Sequence, residues 1–132
     1  MNLVVDANII IAALIKDGIT IELLLEPQVC LYCPEFLFDE IFRYQDTILE
    51  KTSRSEEEFS EILTALSERL VIVPMEEIRP YLGEATAISP DPDDVVYFAL
   101  ALKLGAGIWS NDKLLKKQNK IPIYSTADIL VK

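Results

Sequence analysis

Histidine is absent from this chain of 132 residues. That removes the side chain best suited to general-base work near neutral pH and the usual nitrogen ligand of zinc. Cysteine is scarce: Cys30 and Cys33, in the tetrapeptide CLYC, are the only two. As a redox pair or half of a metal site they would have to converge, and a four-ligand zinc site would need carboxylates to complete it. The surrounding QVCLYC reads as a strand, which sends positions i and i+3 to opposite faces. Two buried thiols are therefore expected. No uninterrupted apolar run approaches the roughly 18 to 20 residues of a membrane span. The opening MNLVVDANIIIAALIKDG has no basic leader and carries Asp6 inside it, so it reads as strand and helix rather than signal peptide. A cytoplasmic location, with no membrane partner, is the default expectation. Basic charge is also short, with 12 Lys and Arg against 22 Asp and Glu and a net charge of −10. That balance argues against binding nucleic acid through a broad positive field. It leaves open a local site where Mg²⁺ or Mn²⁺, which suit hard oxygen ligands, neutralises clustered acids.

What remains is a hydrophobic chain, 51% apolar by residue, of a size that suits one domain with a real core. Repeats, low-complexity tracts and linkers are missing, so residues 1–132 are read as a single domain. Leu3-Val4-Val5 is a short buried strand ending in Asp6. Asn8 is placed to cap a helix over Ile9–Ile15, with Gly18 to end it. Thr20 starts a short helix, Ile21–Leu25, and a second strand covers about Val29–Cys33. Pro34 suits the first turn of a long helix reaching about Lys51. Its apolar positions include Phe36, Leu37, Ile41, Tyr44 and Ile48, and Glu40 falls on that same face, either facing the core with a partner or at the stripe's margin and snorkelling out. Asp39, Arg43 and Asp46 read as its solvated side. Ser55 and Glu58 have capping-box spacing and open a second amphipathic helix, Glu56–Arg69. The two helices are expected as an antiparallel pair joined near Thr52-Ser53. A third strand, Val71–Val73, is followed by an irregular helical stretch interrupted at Pro80.

The stretch that organises the chain is SPDPDDVVYFALALKLGAGIWSND, from Ser89 to Asp112. It opens with Asp91, Asp93 and Asp94, runs through an apolar helix from Val95, turns at Gly105, forms a strand at Gly107–Trp109 and ends in Ser110-Asn111-Asp112. Carboxylates that open a buried helix and close a buried strand are costly to desolvate. The helix N-terminus compensates one or two of them, but not Asp112. A short basic helix, Lys113–Asn119, a last strand, Ile121–Tyr124, and a terminal helix, Thr126–Leu130, complete the chain. Strands alternating with helices predict an α/β fold: a central, mostly parallel sheet of four to five strands with helices on both faces. Asp6, Asp94 and Asp112 then arrive at the carboxyl edge of the sheet, where ligands bind in such folds, and Glu40 is within reach. Packed together they would repel one another and raise each other's pKa values. Divalent cations would turn that cluster into a site that activates water against a phosphodiester.

Three segments carry a family resemblance. LVVDANIIIAAL, PEFLFDEIFRY and DPDDVVYFALALKLGAGIWSND resemble, in order, the opening strand and acid, the helix with an inward glutamate, and the central signature of PIN-domain proteins. The likeness spans essentially the whole chain. It implies a metal site on Asp6, Glu40, Asp94 and Asp112, supported by hydrogen bonding from Asn8 and Ser110. Asp94 is chosen over its neighbours because it stands seven residues before Ala101, as the family's acid stands before a small residue. Asp93 is then the N-cap and Asp91 a loop residue, either able to reach a metal through water. The resemblance further implies an endoribonuclease dependent on Mg²⁺ or Mn²⁺, a possible small antitoxin partner and a homodimer. Exposed apolar faces on the Glu35–Lys51 and Glu56–Arg69 helices are available to either partner. Lys113, Lys116 and Lys117 could hold RNA phosphates beside Asp112, or simply solvate their helix.

Two rival readings come from other classes. One is a non-catalytic PIN-like module that binds protein or RNA. The other is a receiver-like phosphoacceptor domain, which expects an aspartate after the third strand, where this chain has Pro74.

Overall fold

A computed structural model of the protein describes residues 1–16 and 18–131. Five strands form one sheet in the order β3-β2-β1-β4-β5: β1 (Asn2–Val5), β2 (Cys30–Pro34), β3 (Leu70–Val73), β4 (Gly107–Trp109) and β5 (Ile123–Tyr124). Every pairing is parallel. Leu3, Val4, Val5, Ile108 and Trp109 are wholly buried, the pattern of central parallel strands covered on both faces. The helices are α1 (Ala7–Ile15), α2 (Ile19–Leu24), α3 (Leu37–Arg43), α4 (Gln45–Thr52), α5 (Glu56–Ser67), α6 (Met75–Ile78), α7 (Leu82–Ile88), α8 (Val95–Leu104) and α9 (Thr126–Leu130). α8 lies on β1, β2 and β4 and packs against α6 and α7, while α1 packs against α3, α4 and α5. The connections up to β3 step in the opposite direction to the one carrying α8, so the right-handed rule for parallel crossovers puts the two groups on opposite faces.

The strand order reverses at β1. The chain steps outward through β2 and β3, then returns to place β4 on the other side of β1. The crevice at the carboxyl ends of β1 and β4 is therefore the topological switch point of the sheet. Val5 pairs with Trp109 there, and the next amide, Asp6 N–H, donates to the Trp109 carbonyl at 3.1 Å.

Several expectations need correction. Pro34 belongs to β2, and the single long helix after it is two, α3 and α4, broken at Tyr44 (φ −98°, ψ 6°). The apolar stripe runs through the break, yet Phe42, within α3, and Tyr44, at the break, lie at the surface, 54% and 51% exposed. α4 and α5 pack on α1 more than on each other, because α1 is apolar around most of its circumference. Ser53, in the left-handed region at φ 57°, caps α4. The Ser55–Glu58 capping box of α5 forms as expected. Its apolar face is spent on the core through Phe59, Leu63 and Leu66, and it leaves no large exposed hydrophobic side chain. Cys33 is buried but Cys30 is exposed, since β2 borders β3 and only one of its faces is fully covered. Burial pushes the Cys33 thiol up to about 12. The basic segment is a 3-10 turn, Lys113–Lys117, and the last strand is shorter than expected.

Two glycines are required by geometry. Gly105 ends α8 at φ 62°, a conformation that costs a β-carbon dearly. A Cβ on Gly107 would stand 2.7 Å from the Tyr124 ring and 2.9 Å from the Pro122 carbonyl oxygen, so the close β4–β5 approach needs its absence. No helix is long and apolar enough to cross a membrane among the described residues.

Candidate functional site

The switch point collects the acids one element at a time. Asp6 leaves β1 in extended backbone and is itself the N-cap of α1. Asn8, expected as that cap, supplies only its backbone: its N–H donates to Asp6 Oδ1 at 3.1 Å, and the side chain is exposed. Ser110, 1% exposed at the end of β4, donates its hydroxyl to Asp6 Oδ2 at 2.8 Å. The same Ser110 oxygen accepts from Asp112 N–H at 3.1 Å. One buried hydroxyl thus ties the acid of β1 to the backbone of the acid after β4. Asp112 lies exposed beyond it and caps the 3-10 turn, accepting from Leu114 N–H at 2.9 Å.

The aspartates before α8 divide their roles differently from expectation. Asp91 caps a single 3-10 turn, Pro92–Asp94, by accepting from Asp93 N–H at 2.9 Å. Asp93, expected as the helix cap, is exposed. Asp94 occupies the N-cap position of α8 but makes no side-chain capping bond, which leaves its carboxylate free to face the crevice. Burial, then the charges of Asp6, Asp91, Asp112 and Asp93, push its pKa up to about 7. Asp6 is likewise raised, first by burial and further by Asp112, against the lowering effect of its bonds from Asn8 and Ser110.

Glu40, on α3, is half-buried. Its Oε1 accepts from the Tyr97 hydroxyl at 3.3 Å. Burial raises its pKa most; the Tyr97 bond and Arg43 pull it down, while Asp6 and Asp93 push it up. The Tyr97 phenol is driven upward by its own burial and by Glu40. Tyr97 in turn packs edge-on to Phe36, ring centroids 5.6 Å apart. Tyr97 was legible only as part of an apolar run; the available signal was that a buried tyrosine needs a partner for its hydroxyl. Sequence reasoning also passed over Thr126. It accepts from Trp109 Nε1 and Asn111 Nδ2, both at 3.1 Å, and its N–H donates to Asn111 Oδ1 at 2.8 Å. These bonds fasten the loop carrying Asp112 to α9.

The fold therefore brings Asp6, Asp94 and Asp112 within electrostatic reach of one another, with Glu40 reaching Asp6. The lysines lie on the surface beyond. Lys113 and Lys117 are exposed, and Lys116 turns away to Asp128, Nζ to Oδ2 at 2.9 Å. Among the described residues no three acids stand in a ready-made coordination shell, and no lysine or arginine forms an ion pair with Asp6, Asp94 or Asp112. The donor set, all carboxylate oxygen and mutually repelling, fits a hard divalent cation. Cavities of about 540 and 500 Å³ lie around Met1, at the amino edge of the sheet, far from this chemistry. A smaller one of about 330 Å³ is lined by Phe36, Glu40, Arg43, Tyr44 and Asp93.

None of the curated proteins matches this chain. Among solved structures it is similar to VapBC2 from Rickettsia felis bound to a DNA fragment from their promoter, with a TM-score of 0.70 at 17% identity, covering 95% of this chain and 98% of that one. That likeness concerns the fold. The family model described as PIN domain matches residues 4–123, from the strand that delivers Asp6 to the strand that follows Asp112. With that match extending over nearly all of the chain, the protein belongs to the PIN-domain family.

Proposed function

We propose that this protein is a divalent-metal-dependent endoribonuclease that acts in the cytoplasm as the toxin of a toxin–antitoxin pair. The observation that carries the reading is the uncompensated acid cluster at the switch point, with Asp94 raised to about 7 by burial and four neighbouring carboxylates. Leaving such a cluster unpaired is costly, and a function that supplies a cation accounts for it. Asp6, Glu40, Asp94 and Asp112 would hold Mg²⁺ or Mn²⁺. A bound divalent ion would offset their charge and acidify a water for attack on a phosphodiester.

The chain's own residues do the rest. Ser110 and the Asn8 amide fix both oxygens of Asp6, so its direction is set before any ligand arrives. Thr126 holds the Asp112 loop through Asn111 and Trp109. Tyr97 orients Glu40. Asp94, with no capping bond to break, keeps its carboxylate available to a cation. The toxin assignment is supported by the likeness to VapBC2, and Phe42 offers exposed apolar surface for an antitoxin or a second copy.

The test is cleavage of a mixed, end-labelled single-stranded RNA pool with Mn²⁺ or Mg²⁺, with a chelator control and the Asp94→Asn protein prepared identically. Metal-dependent cleavage lost in the variant is the expected result; equal cleavage by both would reject the site. A second reading, a PIN-like module that binds without cutting, draws on the lack of a ready-made coordination shell among the described residues. It predicts no cleavage by either protein and no rise in melting temperature with metal.

A further inference from the structure

The cavity between α3 and the turn before α8 shares walls with the acid cluster. Its lining is Phe36, Glu40, Arg43, Tyr44 and Asp93, and it encloses about 330 Å³, within the usual span of small-ligand sites. Two of its five walls are aromatic. Tyr44 stands at the break between α3 and α4 and is 51% exposed. A continuous helix is what the apolar stripe favours; the break puts a tyrosine at a cavity mouth beside Arg43 and Glu40. Phe36, another wall, makes an edge-on contact with Tyr97, the residue that bonds Glu40.

The charges decide what fits. Two carboxylates against one guanidinium make the cavity a poor host for a phosphate, which needs a positive surplus. A neutral, flat group with hydrogen-bond donors and acceptors on its rim suits all five residues. Arg43 can donate to ring nitrogens and carbonyls, Asp93 can accept from amino or imino groups, and the aromatic side chains offer stacking faces. Because Glu40 is one of the walls, an occupant of this cavity lies directly beside the acids. We propose that this cavity is a nucleobase subsite, in which an unstacked base next to the scissile phosphate of single-stranded RNA rests against Tyr44 and is read by Arg43 and Asp93. The inference rests on the ribonuclease reading above and deepens it at one nucleotide: the base beside the scissile phosphate must be free to turn out, because a base held in a duplex cannot enter.

The experiment measures binding separately from cleavage. Short single-stranded RNAs of mixed sequence, each with one 2-aminopurine, are titrated with the Asp94→Asn protein and with the same protein carrying Tyr44→Ala or Tyr44→Phe. A parallel set carries one abasic nucleotide at the responsive position. Stacking on Tyr44 is expected to quench the fluorescence at one position. Tyr44→Ala should weaken binding of the intact RNA about tenfold, Tyr44→Phe should keep it, and the abasic RNA should bind both proteins alike. Equal binding of intact RNA by the Tyr44→Ala protein overturns the subsite, even if cleavage by the parent chain stands. Loss of binding in Tyr44→Ala with no cleavage by the parent chain would keep the subsite and remove the nuclease. A Tyr44→Ala protein that binds RNA normally but no longer holds a protein partner would assign the cavity to that partner and overturn the proposal.

Discussion

Asp128 and Asp94 are both aspartates at the start of a helix, where the N-terminal dipole favours negative charge. Asp128 is in the first turn of α9, in a capping box with Ser125 and beside Lys116, and its pKa is lowered to about 2, first by the bond from Lys116. Asp94 has the N-cap position of α8, no capping bond and four acidic neighbours, and goes up to about 7. Two aspartates that differ this much show that the helix end does not decide the outcome; burial and partners do. The α9 corner is electrostatically settled. The crevice is not, and a carboxylate left unsettled where the described residues leave no other buried side-chain polar atom without a partner marks a candidate site.

The largest effect is expected at Asp94. Asp94→Asn should lower metal-dependent RNA cleavage at least about a hundredfold while stabilising the metal-free protein by about 1 kcal/mol, since it removes a repelled charge. Cleavage and urea unfolding should thus move in opposite directions. A variant that loses both would place Asp94 in the scaffold instead.

Titration sharpens the same contrast. Asp94 has a folded pKa above its unfolded value, so its contribution to stability is complete at low pH, below the unfolded value, and lost as pH rises through about 7. Asp6 and Glu40 shift in the same direction. The metal-free protein should therefore melt lower at about pH 8 than at about pH 5. Mn²⁺ should raise the melting temperature more at the higher pH, where its ligands are ionised. Asp128 has the opposite sign: its contribution is present above its unfolded value and lost as pH falls through about 2. Melting curves with and without metal between about pH 5 and pH 8 check the first sign, metal-free curves carried down to about pH 2 check the second, and a metal effect independent of pH would count against carboxylate ligands.

The sequence carried this contrast unevenly. The order of strands and helices was legible because buried parallel strands are short apolar runs and helices start at recognisable caps, as at Ser55. Asp6, Glu40, Asp112 and the acids before α8 drew notice because acids in apolar surroundings violate an energetic rule that local pattern exposes; the choice of Asp94 over Asp91 and Asp93 came only from the family resemblance. Long-range partners could not be read. Nothing local says that Thr126 receives Trp109 and Asn111, or that Lys116 turns to Asp128 instead of facing the crevice. The break at Tyr44 was hidden for a different reason: helical periodicity continues through it, while α3 and α4 each pack on α1.

Ser110 is the next test in size. Its hydroxyl is the donor that holds Asp6 Oδ2 and the acceptor for Asp112 N–H. Ser110→Ala leaves a buried carboxylate oxygen and an amide without that partner, and should cost about 1 to 3 kcal/mol in urea unfolding. Mn²⁺ affinity should fall with it, because Asp6 loses its fixed direction. Ser110→Thr keeps the hydroxyl and should recover the metal affinity more fully than the stability, since the added methyl has to be packed in a site that is 1% exposed.

The smallest effects belong to the settled corner. Lys116 and Asp128 are both about half exposed, so Lys116→Ala should leave the urea midpoint almost unchanged. Its effect on RNA should also be small, because its charge is already matched by Asp128. Lys117, without such a partner among the described residues, should contribute a fuller share: each phosphate of single-stranded RNA that a lysine no longer neutralises lowers the salt slope of binding by about 0.7. Reversing both charges together, Lys116→Glu with Lys117→Glu, should weaken binding and flatten the slope, with most of the change traceable to Lys117. Equal slopes for the two single variants would mean that RNA draws Lys116 away from Asp128, and the corner would then belong to the substrate path as well. An unchanged slope in the double variant would confine RNA binding to the crevice and return the basic turn to a solvated surface.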